Sequence, residues 1–231
     1  MLKTTIFLTG KIVIECIRRQ IPHEEFDYLA LLDCLKCYAH PRDKITDLLR
    51  KGWIIRVKKG LYVFGDSYAR GAYAREVLAN LIYGPSYISM DYALYYYGLI
   101  PERVETITSV TCGYNRTFST PVGKFTYRGV PLLAYQTGVQ RIELGSKRAF
   151  LIATPEKTLA DKVRNQRGYA IRSQRDMKIY LFDDLRVDED RFYRLDADKL
   201  RDIVERYRSQ KLRLLQALLY RHQRSEDVVY A

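Results

Sequence analysis

Two cysteines and a histidine near the N-terminus have types and a spacing that could bind a metal. Cys34 and Cys37 are separated by two residues, and His40 follows, which resembles half of the ligand set of a structural zinc site. No second pair of cysteines or histidines follows at ligand spacing, and Cys34 falls on a predicted helical face. We therefore interpret these cysteines as buried thiols.

Two acidic segments contain the residue types of a metal-dependent nuclease. Such an enzyme needs clustered carboxylates beside a lysine, which together hold Mg²⁺ and activate water. Residues 176–178 and 196–199 supply these types, but both lie in charge-rich helical sequence, where exposed side chains are expected. The chain has no phosphate-binding loop, dinucleotide glycine motif or nucleophile elbow. We expect no catalytic residues, no cofactor and no metal.

Positive charge is the strongest chemical feature of the sequence. Lysine and arginine number 39 and aspartate and glutamate 27, which gives a formal net charge of +12. Residues 36–60 alone hold eight cations against two aspartates. A basic concentration of this kind suits a polyanion such as nucleic acid. The candidate DNA contacts are Arg42, Lys44, Arg50, Lys51, Arg56, Lys58 and Lys59.

The elements that would position these cations are three helices. Apolar residues at helical spacing predict a first helix over residues 11–19, which Pro22 ends. Glu24 and Glu25 favour the start of a second helix, because acidic residues stabilise the positive end of a helix. Pro41 favours the start of a third. The predicted inward residues are Phe26, Leu29, Leu32 and Leu35 on the second helix and Ile45, Leu48 and Leu49 on the third.

A hairpin is predicted directly after the third helix. Gly52 can end that helix in the left-handed conformation, and strands follow at residues 53–57 and 61–64. Gly60 suits the turn between them. Three helices followed by a basic hairpin predict a winged helix-turn-helix, which places its last helix in the major groove. We expect Arg42 and Lys44 to face base edges and the two wing lysines to contact phosphate.

The remainder of the chain predicts a larger second domain. Residues 86–89 favour a short strand, residues 105–152 favour β-structure, and a helix begins after Thr154. Helices are expected at residues 197–208 and 211–222. The fold class is therefore α+β, with an N-terminal winged helix-turn-helix followed by a larger mixed domain ending in helices. The predicted boundaries are residues 1–66, a connecting helix over 67–85, and 86–231. Tyr92 and Tyr95–Tyr97 are expected to be core residues.

Three segments of the chain resemble the AbiEi family of antitoxins. They are "HPRDKITDLLRKGWIIRVKKGLYVFGD" (40–66), "GPSYISMDYALYYYGLIPE" (84–102) and "FLIATPEKTLADKV" (150–163). Members of this family are transcriptional regulators of type IV toxin–antitoxin and abortive-infection systems. The resemblance implies a winged domain that represses its own operon. It also implies a C-terminal domain that neutralises a nucleotidyltransferase-like toxin without forming a stable complex with it.

Two alternatives remain open from the residues alone. One is a metal-dependent nuclease that uses a winged domain for targeting, and the other is an interaction module that binds RNA or an acidic protein. The longest apolar run near the N-terminus, Ile6–Leu8, is too short for a membrane span and has no cleavage site after it. We therefore expect a cytoplasmic protein with no membrane partner.

Overall fold

The chain is a mixed α+β protein, as the sequence predicts. The computed structural model describes residues 10–145, 148–168 and 170–229, so the apolar run Ile6–Leu8 lies outside the described residues. Contacts divide the chain into two compact units. The first unit is Met1–Ile82 with Thr120–Val122, and the second is Tyr83–Ser119 with Gly123–Ala231. The domain boundaries at residues 66 and 85 stay predictions.

The first unit combines helices with a three-stranded antiparallel sheet. Its strand order is β1-β3-β2, and β3 is therefore the central strand. The elements are α1 (Gly10–Gln20), β1 (Glu25–Asp27), α2 (Tyr28–Cys34), α3 (Pro41–Arg50), β2 (Ile54–Lys58), β3 (Leu61–Phe64) and α4 (Arg75–Ile82). Its core is built from the apolar faces of the first three helices and from the strands.

The predicted start of the second helix is wrong. Glu25 belongs to β1 and pairs with Val63 of β3, so the segment is extended. Helix α2 begins three residues later, where the side chain of Asp27 accepts a hydrogen bond of 2.7 Å from the amide of Ala30. This shift rotates the helix face, so that Leu29 is 72% exposed and Leu31 is buried. Pairing with β3 outweighs the local preference of the glutamates.

Glu24 is instead part of a buried ion pair with Arg18 of α1. The same carboxylate accepts a hydrogen bond of 3.1 Å from the amide of Arg70. The Arg18 guanidinium also donates to the carbonyls of Ile21 and His23 and lies 4.3 Å from the ring centroid of Phe64. Burial lowers the pKa of Arg18, and Glu24 opposes that shift. The pair joins helix α1 to the segment that leads into the sheet.

The predicted hairpin is confirmed. Gly52 has a φ of +67° after the end of α3, and Gly60 has a φ of +88° in the turn between β2 and β3. Both values lie in the left-handed region, which glycine enters without a steric penalty. The buried residues of α3 include Ile45 and Leu48, as expected.

The second unit is built on a six-stranded sheet of order β6-β7-β5-β4-β9-β8. The strands are β4 (Ser86–Ile88), β5 (Ile107–Thr111), β6 (Arg116–Thr120), β7 (Gly123–Gly129), β8 (Val139–Gly145) and β9 (Arg148–Ala153). The β4–β9 and β5–β7 pairs are parallel, and the β4–β5 and β8–β9 pairs are antiparallel. Strand β6 was not predicted. A short helix, α6 (Leu132–Tyr135), begins after Pro131, where the sequence suggested continuous β-structure.

Helices supply most of the second unit's core. They are α5 (Met90–Tyr96), α7 (Pro155–Asn165), α8 (Gln174–Lys178), a π-helical turn (Ile179–Asp184), α9 (Glu189–Tyr193), α10 (Ala197–Tyr207) and α11 (Gln210–Val229). The predicted cap at Thr154 is confirmed, since its side chain accepts a hydrogen bond from the amide of Lys157. Leu159, Ala160 and Val163 are fully buried, as expected.

A buried ion pair lies at the centre of this unit. Lys157 and Asp161 of α7 are both 0% exposed, and the Lys157 Nζ lies 2.9 Å from the Asp161 Oδ1. The ammonium also donates to the Ala134 carbonyl and the Tyr207 hydroxyl, both at 2.8 Å. The lysine stem passes Gly138, where a Cβ would come within 2.8 Å of the Lys157 Cβ. A side chain at residue 138 would therefore collide with the lysine.

Three hydroxyl groups complete the hydrogen bonding of the Asp161 carboxylate. Ser89 donates at 2.6 Å and Tyr87 at 3.1 Å to Oδ2, and Tyr207 donates to Oδ1. Burial lowers the pKa of Lys157, and the adjacent carboxylate opposes that shift. Burial and the same carboxylate raise the pKa values of Tyr87 and Tyr207. Each polar group of this network therefore has a partner, which is the condition under which burial of charge is tolerated.

Among the described residues, none of the helices combines the length and apolar content needed to cross a membrane.

We predict that Asp161→Ala destabilises the second unit by about 3–5 kcal/mol, because the Lys157 ammonium stays buried without its counter-ion. The matched control is Glu102→Ala, which removes an exposed ion pair with Arg186 and should change stability by less than about 1 kcal/mol. Urea unfolding followed by circular dichroism measures both. The single tryptophan, Trp53, lies in the first unit, so its fluorescence gives an internal reference. Equal losses in the two variants would contradict the role given to the buried pair.

Candidate nucleic-acid interface

The first turn of α3 carries two of the predicted contact residues. Arg42 is exposed and Lys44 is half-buried. The Lys44 Nζ lies 5.5 Å from the ring centroid of Tyr38, which precedes the helix. Pro41 occupies the start of the helix, where its missing N–H costs little, and fixes the direction of this turn. Arg42 is therefore open to solvent, and Lys44 is held closer to the protein.

The last turn of α3 places two further cations around one carboxylate. Asp47 accepts hydrogen bonds from the Lys51 ammonium at 2.6 Å and from the Arg50 guanidinium at 2.7 Å. The hydrogen bond from Lys51, followed by that from Arg50, lowers the pKa of Asp47. The Lys51 Nζ also lies 4.7 Å from the ring centroid of Trp53. Exposed pairs of this kind are worth little energy, so either cation can exchange Asp47 for a phosphate.

The hairpin supplies the remaining three cations, which differ in their surroundings. Arg56 is exposed on β2, in register with Tyr62 of β3. The Lys58 ammonium donates a hydrogen bond of 2.5 Å to the Ile82 carbonyl at the end of α4. Lys59 is exposed at the turn itself. Both lysines are exposed, but the Lys58 ammonium is engaged within its own unit, so Lys59 is the better candidate for a contact with phosphate.

The seven predicted contact residues therefore form three groups within the first unit. Arg42 and Arg50 are eight positions apart on α3, which corresponds to about 12 Å along the helix axis. The third group is on the hairpin. Two aspartates on the same helix, Asp43 and Asp47, reduce the net positive charge. The assignment of these residues to DNA stays a prediction.

The acidic segments that resembled a nuclease site have capping functions. Asp176 and Ser173 form a reciprocal capping box at the start of α8. Asp196 caps α10 by accepting hydrogen bonds of 3.0 Å from the amides of Asp198 and Lys199. Among the residues that the structure describes, no group of three or more histidine, cysteine or acidic residues could hold a metal ion.

The expectation of buried cysteines is wrong in part. Cys34 at the end of α2 is half-buried, but Cys37 is exposed because the helix ends before it.

The four tyrosines that were expected in the core differ in their exposure. Tyr92 is buried as expected and Tyr97 is half-buried, with its hydroxyl bonded to the Ala153 carbonyl at 2.7 Å. Tyr95 and Tyr96 are 39% and 42% exposed.

Sequence reasoning missed the network around Lys157 and Asp161. The two residues are four apart on a helix, which is also the spacing of an ordinary exposed salt bridge. Their burial depends on Tyr87 and Ser89, about 70 residues earlier, and on Tyr207, about 50 residues later. A charged pair flanked by Leu159, Ala160 and Val163 is the one local indication that this helix lies deep in the unit.

No protein-family model matches the chain, and no curated protein matches its sequence.

Proposed function

We propose that the first unit is a winged helix-turn-helix that binds duplex DNA. The observation that carries this proposal is the combination of element order and sheet order. Along the chain, α1 is followed by β1, then by α2 and α3, and then by the hairpin of β2 and β3. Strand β1 pairs with β3 on the edge opposite to β2. In this assignment the hairpin is the wing. Helices α2 and α3 are the helix-turn-helix pair, and α3, the second of them, is the recognition helix.

The distribution of cations supports one mode of docking. Residues near the N-terminal end of a recognition helix reach base edges, and Arg42 is exposed in that turn. An arginine there can donate two hydrogen bonds to a guanine, which makes it the natural specificity residue. Lys59 on the wing, Arg56 beside it, and Arg50 and Lys51 at the other end of α3 are placed for phosphate contacts. Lys44 is a second base-contact residue, closer to the protein surface.

We further propose that the chain represses its own operon and acts as the antitoxin of a nucleotidyltransferase-like toxin. The support is the resemblance to the AbiEi family in three segments. In the second unit, the two resembling segments meet in one place, since Tyr87 and Ser89 bond to Asp161. The resemblance thus covers residues that build the core of that unit together, in addition to the basic surface of the first unit.

Two other functions compete with this one. A metal-dependent nuclease would need free carboxylates, and the carboxylates of Asp176 and Asp196 are engaged in helix caps. An interaction module for RNA or an acidic protein would use the same cations without a preference for duplex DNA. Binding competition between the upstream DNA of the gene, unrelated duplex and RNA separates these possibilities, and Mg²⁺-dependent cleavage would favour the nuclease.

We predict that DNA binding depends strongly on salt. If about five phosphates are neutralised, the logarithm of the binding constant should fall with the logarithm of the salt concentration with a slope of about −4.5. Fluorescence anisotropy with duplex DNA at several salt concentrations measures this slope. An affinity that barely changes between low and physiological salt would refute the phosphate contacts.

We predict different effects for the two ends of the interface. Arg42→Ala should relax sequence preference and cost about 1–3 kcal/mol on the preferred site, whereas Lys59→Ala should weaken all duplexes to a similar extent. Lys36→Ala is the control, because Lys36 is a cation of the same unit paired with Asp33 outside the proposed interface. Competition binding with preferred and scrambled duplexes decides the assignment. The reverse pattern would exclude this docking but would leave DNA binding intact.

We predict that repression and toxin neutralisation can be separated. The double variant Arg42→Ala/Lys59→Ala should derepress an operon reporter, because it removes exposed charge from the first unit alone. It should still rescue the growth of cells that express the cognate toxin. Western blotting confirms equal expression. A variant that lost both functions would show that the basic surface of the first unit also serves neutralisation.

A further inference from the structure

A polar cavity lies in the second unit, at the end of α7. Its volume is about 230 Å³, and it is lined by Gly129, Val130, Pro131, Asp161, Arg164, Asn165, Gln166, Arg167 and Lys211. Cavities that hold drug-sized molecules measure about 300–1,000 Å³, so this one suits a small chemical group. Three of its lining residues are cations, which favours an anion.

Two of these cations have no carboxylate partner among the described residues. Some exposed arginines of the unit do pair with carboxylates, as do Arg103 with Glu105, Arg186 with Glu102 and Arg201 with Asp198. Arg164 and Arg167 are also exposed, but neither makes an ion pair with any described residue. Two unpaired guanidinium groups at the edge of one cavity leave a positive charge that the protein does not neutralise.

The C-terminal end of the helix does not by itself account for these arginines. Cations are favourable at that end because they compensate the helix dipole and its unpaired carbonyl groups. Lys211 already has this function, because its ammonium donates a hydrogen bond of 2.9 Å to the Gln166 carbonyl. The side-chain amide of Asn165 makes no hydrogen bond to another described residue, so it is a further donor at the cavity.

The carboxylate in the lining does not repel an anion. Asp161 is neutralised from inside the protein by the Lys157 ammonium and accepts hydrogen bonds from the hydroxyls of Tyr87, Ser89 and Tyr207. The three cations in the lining, Arg164, Arg167 and Lys211, therefore leave the charge around the cavity positive despite the buried acid.

We propose that this cavity binds a phosphate group, held by the guanidinium groups of Arg164 and Arg167 and by the Asn165 amide. Guanidinium is the side-chain group that best matches the geometry of phosphate oxygens. The phosphate can belong to a free phosphorylated small molecule or to the terminus of a polynucleotide, since both offer the same chemistry. The site is in a different unit from the proposed DNA interface and does not depend on it.

The test is isothermal titration of the full chain with pyrophosphate. We expect saturable binding at one site. Arg164→Gln and Arg167→Gln should each weaken that binding by about tenfold, because each removes a charge-assisted hydrogen bond. Arg103→Gln is the matched control, as an exposed arginine of the same unit that has a carboxylate partner. It should bind pyrophosphate as the unaltered chain does.

A second pair of variants separates this site from the DNA interface. The variant Arg42→Ala/Lys59→Ala should keep full pyrophosphate binding, and Arg164→Gln/Arg167→Gln should keep full affinity for duplex DNA. Single-stranded oligonucleotides with a 5′-phosphate or a 5′-hydroxyl then identify the source of the phosphate. A preference for the phosphorylated end that Arg164→Gln/Arg167→Gln abolishes indicates a polynucleotide terminus, and equal binding of the two ends indicates a free small molecule. Absence of saturable pyrophosphate binding, or unchanged binding by Arg164→Gln/Arg167→Gln, would overturn the proposal.

Discussion

The ion pair between Lys157 and Asp161 is the interaction on which the second unit depends. Both groups are removed from water, so their charges must be compensated by each other and by hydrogen bonds. The compensating groups come from β4, the residue after it, α6 and α10. The pair therefore fixes the positions of a sheet strand and three helices at once. It also lies beside the cavity that we assign to phosphate, where it cancels the one negative charge in the lining.

The first unit is organised by a different constraint, which is the need to keep positive charge on the surface without losing compactness. Arg18 and Glu24 form the buried pair of this unit, and Arg18 also contacts Phe64 of the central strand. Two cations of α3, Arg50 and Lys51, are held by weak local contacts, which are their hydrogen bonds to Asp47. Weak contacts orient these side chains but leave their charges available to a polyanion. A buried pair that stabilises the unit, together with exposed cations at its surface, is what a charged binding surface requires.

Local patterns were sufficient for some elements and insufficient for others. The turn at Gly60, the end of α3 at Gly52 and the cap at Thr154 depend on the conformational or hydrogen-bonding properties of single residues, and each was predicted. The start of α2 was misplaced because Glu25 pairs with Val63, a residue 38 positions away. The burial of Lys157 could not be predicted, because its partners are distant in sequence. Candidate contact residues were found from charge density, but the engagement of Lys58 by the Ile82 carbonyl required the structure.

The network around Asp161 also constrains how this chain can change over generations. A substitution of Asp161 alone leaves a buried ammonium, and a substitution of Lys157 alone leaves a buried carboxylate, so either first step is costly. An apolar replacement of the whole network would be tolerated, but it requires coordinated changes at Tyr87, Ser89 and Tyr207 as well. Replacement of the network by single substitutions is therefore blocked, even though an apolar core that lacks all of these polar groups would be tolerated. Related chains should differ freely on their surfaces while they inherit these five residues as a single unit.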